Sequence, residues 1–398
     1  MSLTATTTVA LYANTDWYLF NFRRSLATSL KERGYRVLLI SPPGKYGERL
    51  IEEGFDWIPA PMDRSSLNPV RELMLVIWLA RLFKKREVSI VHGFTIKCVV
   101  YGVAAARIVG IQRVVCSVAG MGYIFSSHSI KARVLRFPVS QLLRASLRGR
   151  LVRLILQNPD DVEMFSRGRL ISPASIRLIR GSGVDCVRFG MKSHDYSDVP
   201  FRVLLPARLL WDKGVAEFIE AARLLKARDY PIEFLLAGTP DLGNPAAVSE
   251  AKIECWVKDG LVEWLGHVED MPSLFHSVAV VALPSYREGL PKGLIEASAC
   301  GCSIVTTDVP GCREVVTHEV TGLLVKVRDA TDLAGAIVRL YENPLLLVKL
   351  GRAARRRAVR DFDERTVNSQ TVAVYEHLMG PSNLASESAA ITGEHGDN

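Results

Sequence analysis

Short apolar runs alternate with amphipathic helical stretches along most of this chain, and the alternation starts over half-way. Strand-like runs at residues 9–12, 36–40, 89–92, 113–118, 151–157 and 175–179 are separated by helical periodicity, for example over 20–33 and 98–109. A second series follows at 201–207, 232–237, 262–265, 278–283 and 303–306, with a helix expected over 214–227. Brief apolar runs divided by helices read as parallel strands in βαβ units, and so as doubly wound α/β domains. A chain of 398 residues exceeds one ordinary core, so two domains are expected. The polar, turn-rich stretch 189–200 lacks periodicity and reads as the linker, giving a first domain over 1–190 and a second over 200–360. Residues 380–398 are rich in Ser, Ala, Gly and Glu without aromatics and read as a disordered tail.

Composition narrows the class. Apolar residues make up 48% of the chain, a globular value. The seven cysteines are odd in number and form no C-x-x-C pair, which points to reduced thiols in a cytosolic compartment. Residues 1–8 are polar, so no secretory leader is expected, and the apolar stretch 73–83 falls short of the roughly 20 residues that span a bilayer. Residues 1–200 hold 29 Lys and Arg against 15 Asp and Glu, whereas the remainder holds 21 against 27. Only the first half therefore attracts an anionic partner, either nucleic acid or an anionic membrane surface. Its basic run, Lys131 to Arg153, includes Arg144 and Arg148 and contains only Phe137 as an aromatic. That composition suits a lipid-facing helix better than a base-stacking one, the plain alternative being a charged helix packing its leucines. The first strand-to-helix turn, Ala13-Asn14-Thr15-Asp16-Trp17, has no G-x-G-x-x-G, which argues against a nicotinamide dinucleotide.

The densest chemistry lies in Glu288-Gly-Leu-Pro-Lys-Gly-Leu-Ile-Glu296, between a strand-like run and an apolar helix. Pro291 suits the first turn of that helix. Two carboxylates, a lysine and free amide donors thus meet at the carboxyl end of a strand, where open α/β sheets bind ligands. Amides at a helix start take a diphosphate, and carboxylates take hydroxyl groups, so the segment fits a sugar nucleotide. Arg208 and Lys213 flank the turn after the first strand of the second series; they either clamp a diphosphate or start a solvated helix.

Together, Ser285-Tyr-Arg-Glu-Gly-Leu-Pro with its E-x7-E pair, Pro206-Ala-Arg-Leu-Leu-Trp-Asp-Lys-Gly214, Gly181-Ser-Gly-Val-Asp185 and Leu265-Gly-His-Val-Glu269 resemble the retaining glycosyltransferases of family 4 (group 1). The resemblance covers about residues 175–375. It implies the GT-B fold, two Rossmann-like domains facing across a cleft, with a C-terminal helix at 361–379 crossing back to the first. His92-Gly-Phe-Thr-Ile-Lys97 and Val118-Ala-Gly-Met-Gly-Tyr-Ile-Phe125 resemble a bacterial subgroup that includes N-acetylgalactosaminyltransferases acting on undecaprenyl-diphosphate-linked glycans.

The resemblance implies a UDP-sugar donor, no metal, and no cofactor beyond the donor. It assigns the nucleotide-sugar to Arg208, Lys213, Gly238, His267, Gly289, Leu290, Pro291, Lys292, Gly293 and Glu296, with Glu296 on the ribose and Glu288 on the transferred sugar. His92 and Lys97, after a first-domain strand, are candidates for the acceptor's diphosphate or the transition state, the bland reading of His92 being a satisfied structural group. Asp16 either orients the acceptor hydroxyl or caps the next helix. Asn14, Thr15, Thr95, Gly120 and Gly122 complete the expected acceptor side, with Arg144 and Arg148 toward the membrane. The implied activity is transfer of an N-acetylhexosamine such as GalNAc to a polyprenyl-diphosphate-linked glycan, by a protein peripheral on the inner face of the cell membrane. A UDP-sugar epimerase of the same fold and a transferase to a soluble acceptor are the alternatives.

Overall fold

The computed structural model describes residues 7–63, 66, 68–118, 130–191, 200–241 and 243–380, with side chains in the helix Ile130–Ser146 described from residue 138 onward. The chain forms two compact units. One comprises Met1–Ser182 with Arg365–Asn398, the other Gly183–Glu364. Gly120, Gly122 and the tail beyond residue 380 lie outside the described residues.

The first unit holds a seven-stranded sheet: β1 (Thr8–Tyr12), β2 (Arg36–Ser41), β3 (Asp56–Pro59), β4 (Val88–Phe94), β5 (Val114–Ser117), β6 (Val152–Leu156) and β7 (Ile176–Leu178). Their order is β3-β2-β1-β4-β5-β6-β7, and every pair is parallel. The second unit holds β8 (Phe201–Pro206), β9 (Ile232–Ala237), β10 (Glu263–Gly266), β11 (Val280–Leu283), β12 (Ser303–Thr307) and β13 (Leu323–Val325). Their order is β10-β9-β8-β11-β12-β13, again parallel throughout.

Helices cover both faces of each sheet, which is why the central strands are apolar without a break. All residues of β1, β11 and β12 are buried. Alternate side chains feed separate cores: Val9 and Leu11 pack with Leu39 and Phe94, whereas Ala10 and Tyr12 pack with Leu38 and Val91. In the second unit Val203 and Leu205 join Phe218, and Leu204 joins Leu294 and Ile304. The edge strands β3 and β13 escape the sequence reading, because runs of only four and three residues are too short to give a strand signal.

The unit boundary falls earlier than composition suggested. Residues 183–190 were expected in the first domain, yet Val184, Cys186 and Phe189 are buried in the second-unit core. Arg355 fastens them there, donating to the carbonyls of Cys186, Phe189 and Ala299. The helix Glu364–Met379 belongs from Arg365 onward to the first unit, where Val367, Val372, Tyr375 and Leu378 join Val9 and Leu11.

The two points at which the chain passes between units lie side by side. The Glu364 amide donates to the Val184 carbonyl at 3.0 Å, and the Val184 amide to the Phe362 carbonyl at 2.9 Å. Gly183 sits beside them at φ +73°, and a Cβ there would lie 2.4 Å from the Glu364 Cα. Gly183→Ala is therefore expected to destabilise the second unit by more than about 1 kcal/mol, read as a lower urea midpoint at unchanged slope.

Candidate active site

Each strand order reverses at the unit's first strand, between β1 and β4 and between β8 and β11. Ligand crevices of doubly wound sheets open at this place, at the carboxyl ends of the strands. In the second unit three loops meet there. The motif loop follows β11 and ends at Pro291, the N-cap of the helix Lys292–Ala299. Its Glu288 Oε1 lies 2.5 Å from the Lys213 ammonium and accepts from the Ser285 hydroxyl at 2.8 Å. Lys213 comes from the short turn Trp211–Lys213 after β8. The Tyr286 amide ties the two loops by donating to the Asp212 carbonyl at 2.9 Å. From the β12 side the Thr307 hydroxyl donates to the Ser285 carbonyl. Gly311, at φ +83°, passes so close that a Cβ would lie 2.6 Å from the carbonyl oxygens of both Glu288 and Gly289.

The side chains of Lys213 and Glu288 are only 19% and 10% exposed, so their attraction offsets the cost of taking two charges out of water. Arg208 behaves differently: it is 56% exposed and paired to Asp241 at 2.7 Å. Gly238 closes the neighbouring loop by donating its amide to the Gly266 carbonyl at 2.7 Å, and His267 follows, exposed. Leu290 packs on the core beneath the loop, and Gly293 lies against the Pro206 carbonyl. Lys292 reaches Glu296 one turn along the helix at 3.6 Å. The structure thus joins Lys213, Ser285 and Glu288 in one cluster and Lys292 with Glu296 in another. Sequence reading missed Ser285 as a ligand of Glu288. It also missed Arg188, whose positive charge acts on Glu296.

In the first unit several candidates are corrected. Asp16 is buried and accepts from the amides of Trp17, Tyr46 and Gly47 at 2.8, 2.6 and 3.0 Å. It therefore caps the helix Lys45–Glu52 rather than offering a carboxylate to a substrate, while Thr15 caps its own helix through the Tyr18 amide at 3.0 Å. Lys97 spends its ammonium on the carbonyls of Asp63 and Ser66 and on Glu72, at 2.6, 3.0 and 2.8 Å. An ammonium has three protons, so none is left for a phosphate.

His92 has no exposed surface; Nδ1 meets the Tyr375 hydroxyl at 2.5 Å and Nε2 the Ser117 hydroxyl at 2.7 Å. It binds the C-terminal helix to the sheet and has no free nitrogen for chemistry. Burial first, and the charge of Arg23 second, hold its pKa well below the ordinary histidine value. Arg144 is half-buried and donates to the Gly168 carbonyl at 3.0 Å, whereas Arg148 is exposed.

Asn14 is half-buried in the loop after β1. Thr95 stands out: it starts the helix Ile96–Ile108 at φ +74°, a strained value for threonine, with its hydroxyl buried beside the Cys98 thiol. Arg23, unnoticed in the sequence, is buried over the Phe94 ring at 4.3 Å and donates to the Tyr18 hydroxyl at 2.8 Å. Among the described residues no carboxylate pairs with it. It lines a small cavity with His92, Ser117, Gln157, Gly181 and Thr371. Among the described residues no group of three His, Cys, Asp or Glu is placed to hold a metal ion.

The family profile described as "Glycosyl transferases group 1" matches residues 200–343, and that described as "Glycosyl transferase 4-like" matches 8–158. The chain is 29% identical over 373 residues to the N,N'-diacetylbacillosaminyl-diphospho-undecaprenol alpha-1,3-N-acetylgalactosaminyltransferase of Campylobacter jejuni, covering 91% of this chain and 96% of that protein. Among solved structures it superposes on the sucrose-phosphate synthase of Thermosynechococcus elongatus with TM-score 0.76 at 19% identity, covering 94% of this chain and 99% of that one. The HepE protein of Anabaena, in complex with UDP, gives TM-score 0.74 at 20% identity over 93% of this chain and 100% of that one. The chain is a glycosyltransferase of the GT-B fold.

Within this glycosyltransferase the two motif carboxylates are not equivalent. Burial raises the pKa of Glu296 above the usual glutamate range, with Lys292 and Arg188 opposing the shift. The folded state therefore holds that proton more tightly than the unfolded chain does. The stability it contributes is complete below the unfolded pKa and is lost as pH rises through the folded one. Glu296→Gln removes this dependence, so its melting temperature should gain on that of the parent as pH rises from the unfolded glutamate pKa, about 4.3, through the raised folded one. A parallel pair of melting curves against pH would show the opposite assignment.

Proposed function

We propose that this glycosyltransferase moves a sugar, with retention of anomeric configuration, from a UDP-sugar to a polyprenyl-diphosphate-linked glycan. The donor sugar we favour is an N-acetylhexosamine such as GalNAc. The observation that carries the reading is the Lys213–Glu288–Ser285 cluster at the mouth of the helix Lys292–Ala299. The Campylobacter relative, matched over nearly the whole length of both chains, supports the acceptor class and the sugar. An Escherichia coli relative, 25% identical over 75% of this chain, carries the name UDP-Gal:alpha-D-GlcNAc-diphosphoundecaprenol alpha-1,3-galactosyltransferase; it supports the acceptor class, while its donor sugar is galactose.

In this reading the diphosphate sits on the first amides of the helix Lys292–Ala299, which have no partner inside the helix. Arg208 turns to it from Asp241. An exposed ion pair of that kind is worth about 0–1 kcal/mol, so an anion competes for the guanidinium at little cost. Lys213 stays with Glu288 and adds a fixed positive charge beneath. The ribose hydroxyls donate to Glu296. A sugar hydroxyl donates to Glu288, whose geometry is held by Lys213 and Ser285.

The bond from the anomeric carbon to the phosphate oxygen breaks, and its electron pair leaves with UDP. The cationic cradle stabilises that developing charge, the term that usually contributes most. The acceptor hydroxyl enters on the same face and gives its proton to the departing phosphate oxygen. No metal ion enters this scheme. The first unit takes the acceptor, and the protein works at the inner membrane face. Among the described residues no helix is long and apolar enough to cross a membrane.

Two variants test the scheme. Arg208→Ala should weaken UDP binding about 10- to 100-fold in calorimetry, the loss of one charge-assisted hydrogen bond of about 1.5–3 kcal/mol. Glu288→Gln keeps the shape and a partner for Ser285; it should abolish transfer to a polyprenyl-diphosphate acceptor while UDP still binds. Turnover of Glu288→Gln at the parent rate, or UDP release that needs no acceptor, overturns the proposal.

A further inference from the structure

The helix Pro69–Lys85 of the first unit is apolar on two faces. Leu75, Val76, Leu79, Ala80 and Phe83 form the inward stripe and lie in the core. A second stripe, Val70, Leu73, Met74 and Ile77, repeats at i, i+3, i+4 and i+7 and points outward, with each residue 39–63% exposed. A run of large apolar side chains along one line of a surface helix marks a contact with something apolar.

Beside this line lies an open groove of about 810 Å³, lined by Pro61, Met62, Met74, Leu75, Ile77 and Trp78. The volume is within the roughly 300–1,000 Å³ of small-molecule sites. Arg71 and Arg81 lie along it ten residues apart, about 15 Å of helix. Neither pairs with a carboxylate among the described residues. The carboxylates at the mouth are otherwise occupied: Glu72 binds Lys97, and Asp63 accepts from the Ser66 amide at 3.3 Å. Because Lys97 follows β4, the pair Lys97–Glu72 fixes the first turn of the helix at the carboxyl edge of the sheet. The groove thus starts where the first unit's ligand crevice lies and runs away from it along the helix.

We infer that this groove binds the isoprenoid chain of a lipid-diphosphate acceptor, with Arg71 beside the diphosphate and Met74, Ile77 and Trp78 along the first isoprene units. The inference rests on the polyprenyl-diphosphate reading of the acceptor. An apolar channel with an unpaired guanidinium at its mouth complements an apolar chain that ends in an anion.

The test uses the full-length protein in detergent, with acceptors that share one glycan diphosphate and differ only in isoprenoid length. KM should fall at least about tenfold from a single isoprene unit to a long chain. In the double variant Met74→Glu, Ile77→Glu that dependence should vanish, while UDP affinity and the melting temperature stay those of the parent, both positions being exposed. A KM indifferent to chain length, or a double variant that keeps the full dependence, overturns the groove. If the double variant keeps the dependence yet no longer floats with phosphatidylglycerol vesicles, the stripe serves the bilayer surface and the groove is likewise refuted.

If the parent transfers sugar to no polyprenyl acceptor, the acceptor reading fails, and the groove is judged by binding alone. Undecaprenyl phosphate should then change tryptophan fluorescence in the parent and much less in Trp78→Phe. No change in the parent overturns it.

Discussion

A parallel sheet whose strand order reverses at its first strand cannot close the space above that reversal. The crossovers on the two sides leave in opposite directions, and a gap opens at the carboxyl ends of the central strands. Both sheets here are built that way, at β1/β4 and at β8/β11. The motif loop, the turn carrying Lys213 and the glycine after β12 converge in the second unit for this reason. No one of them would hold its shape alone.

Charge placement separates chemistry from scaffolding. Lys213 and Glu288 are each costly to bury, several kcal/mol per ion before they meet, and the Ser285 hydroxyl fills another site on the carboxylate. The result is a carboxylate of fixed geometry with a positive charge behind it. Arg208 sits in an exposed pair and is free to exchange partners. Lys97 and Asp16 are the reverse case: all three Lys97 ammonium protons go to backbone carbonyls or to Glu72, and the Asp16 carboxylate accepts three backbone amides. Arg23 is the cation left over, buried against aromatic rings, with its Nε unpartnered. Its field and the burial of His92 together keep that imidazole neutral.

Legibility in the sequence followed the distance between partners along the chain. Glu288 and Glu296 are separated by the end of a loop and the first turn of a helix, and their neighbours Ser285, Pro291 and Lys292 lie within the same dozen residues. His92 looked open to chemistry because its partner Tyr375 is 283 residues away. Lys97 looked free because Glu72 precedes it by 25 residues across a strand and a helix. Asp16 was readable as a cap, but the helix it caps begins at Lys45 and not at its own position. The boundary near residue 183 was misplaced because Val184 and Phe189 look like linker residues until the core that covers them is known.

The amino-acid order by itself determined the class of fold, since apolar runs of strand length divided by amphipathic helices leave no other economical way to bury both sheet faces. It also determined where along the chain the phosphate and hydroxyl chemistry is concentrated, because a helix start and its loop are local structures. Tertiary structure alone decided which polar groups remain available. Whether a buried donor is spent or free depends on residues brought from hundreds of positions away, and local sequence carries no record of them. The outward apolar stripe of the helix Pro69–Lys85 belongs to the same class of fact. Its periodicity is written in the sequence, but which of two apolar faces meets the core was settled only when the sheet packed against one of them.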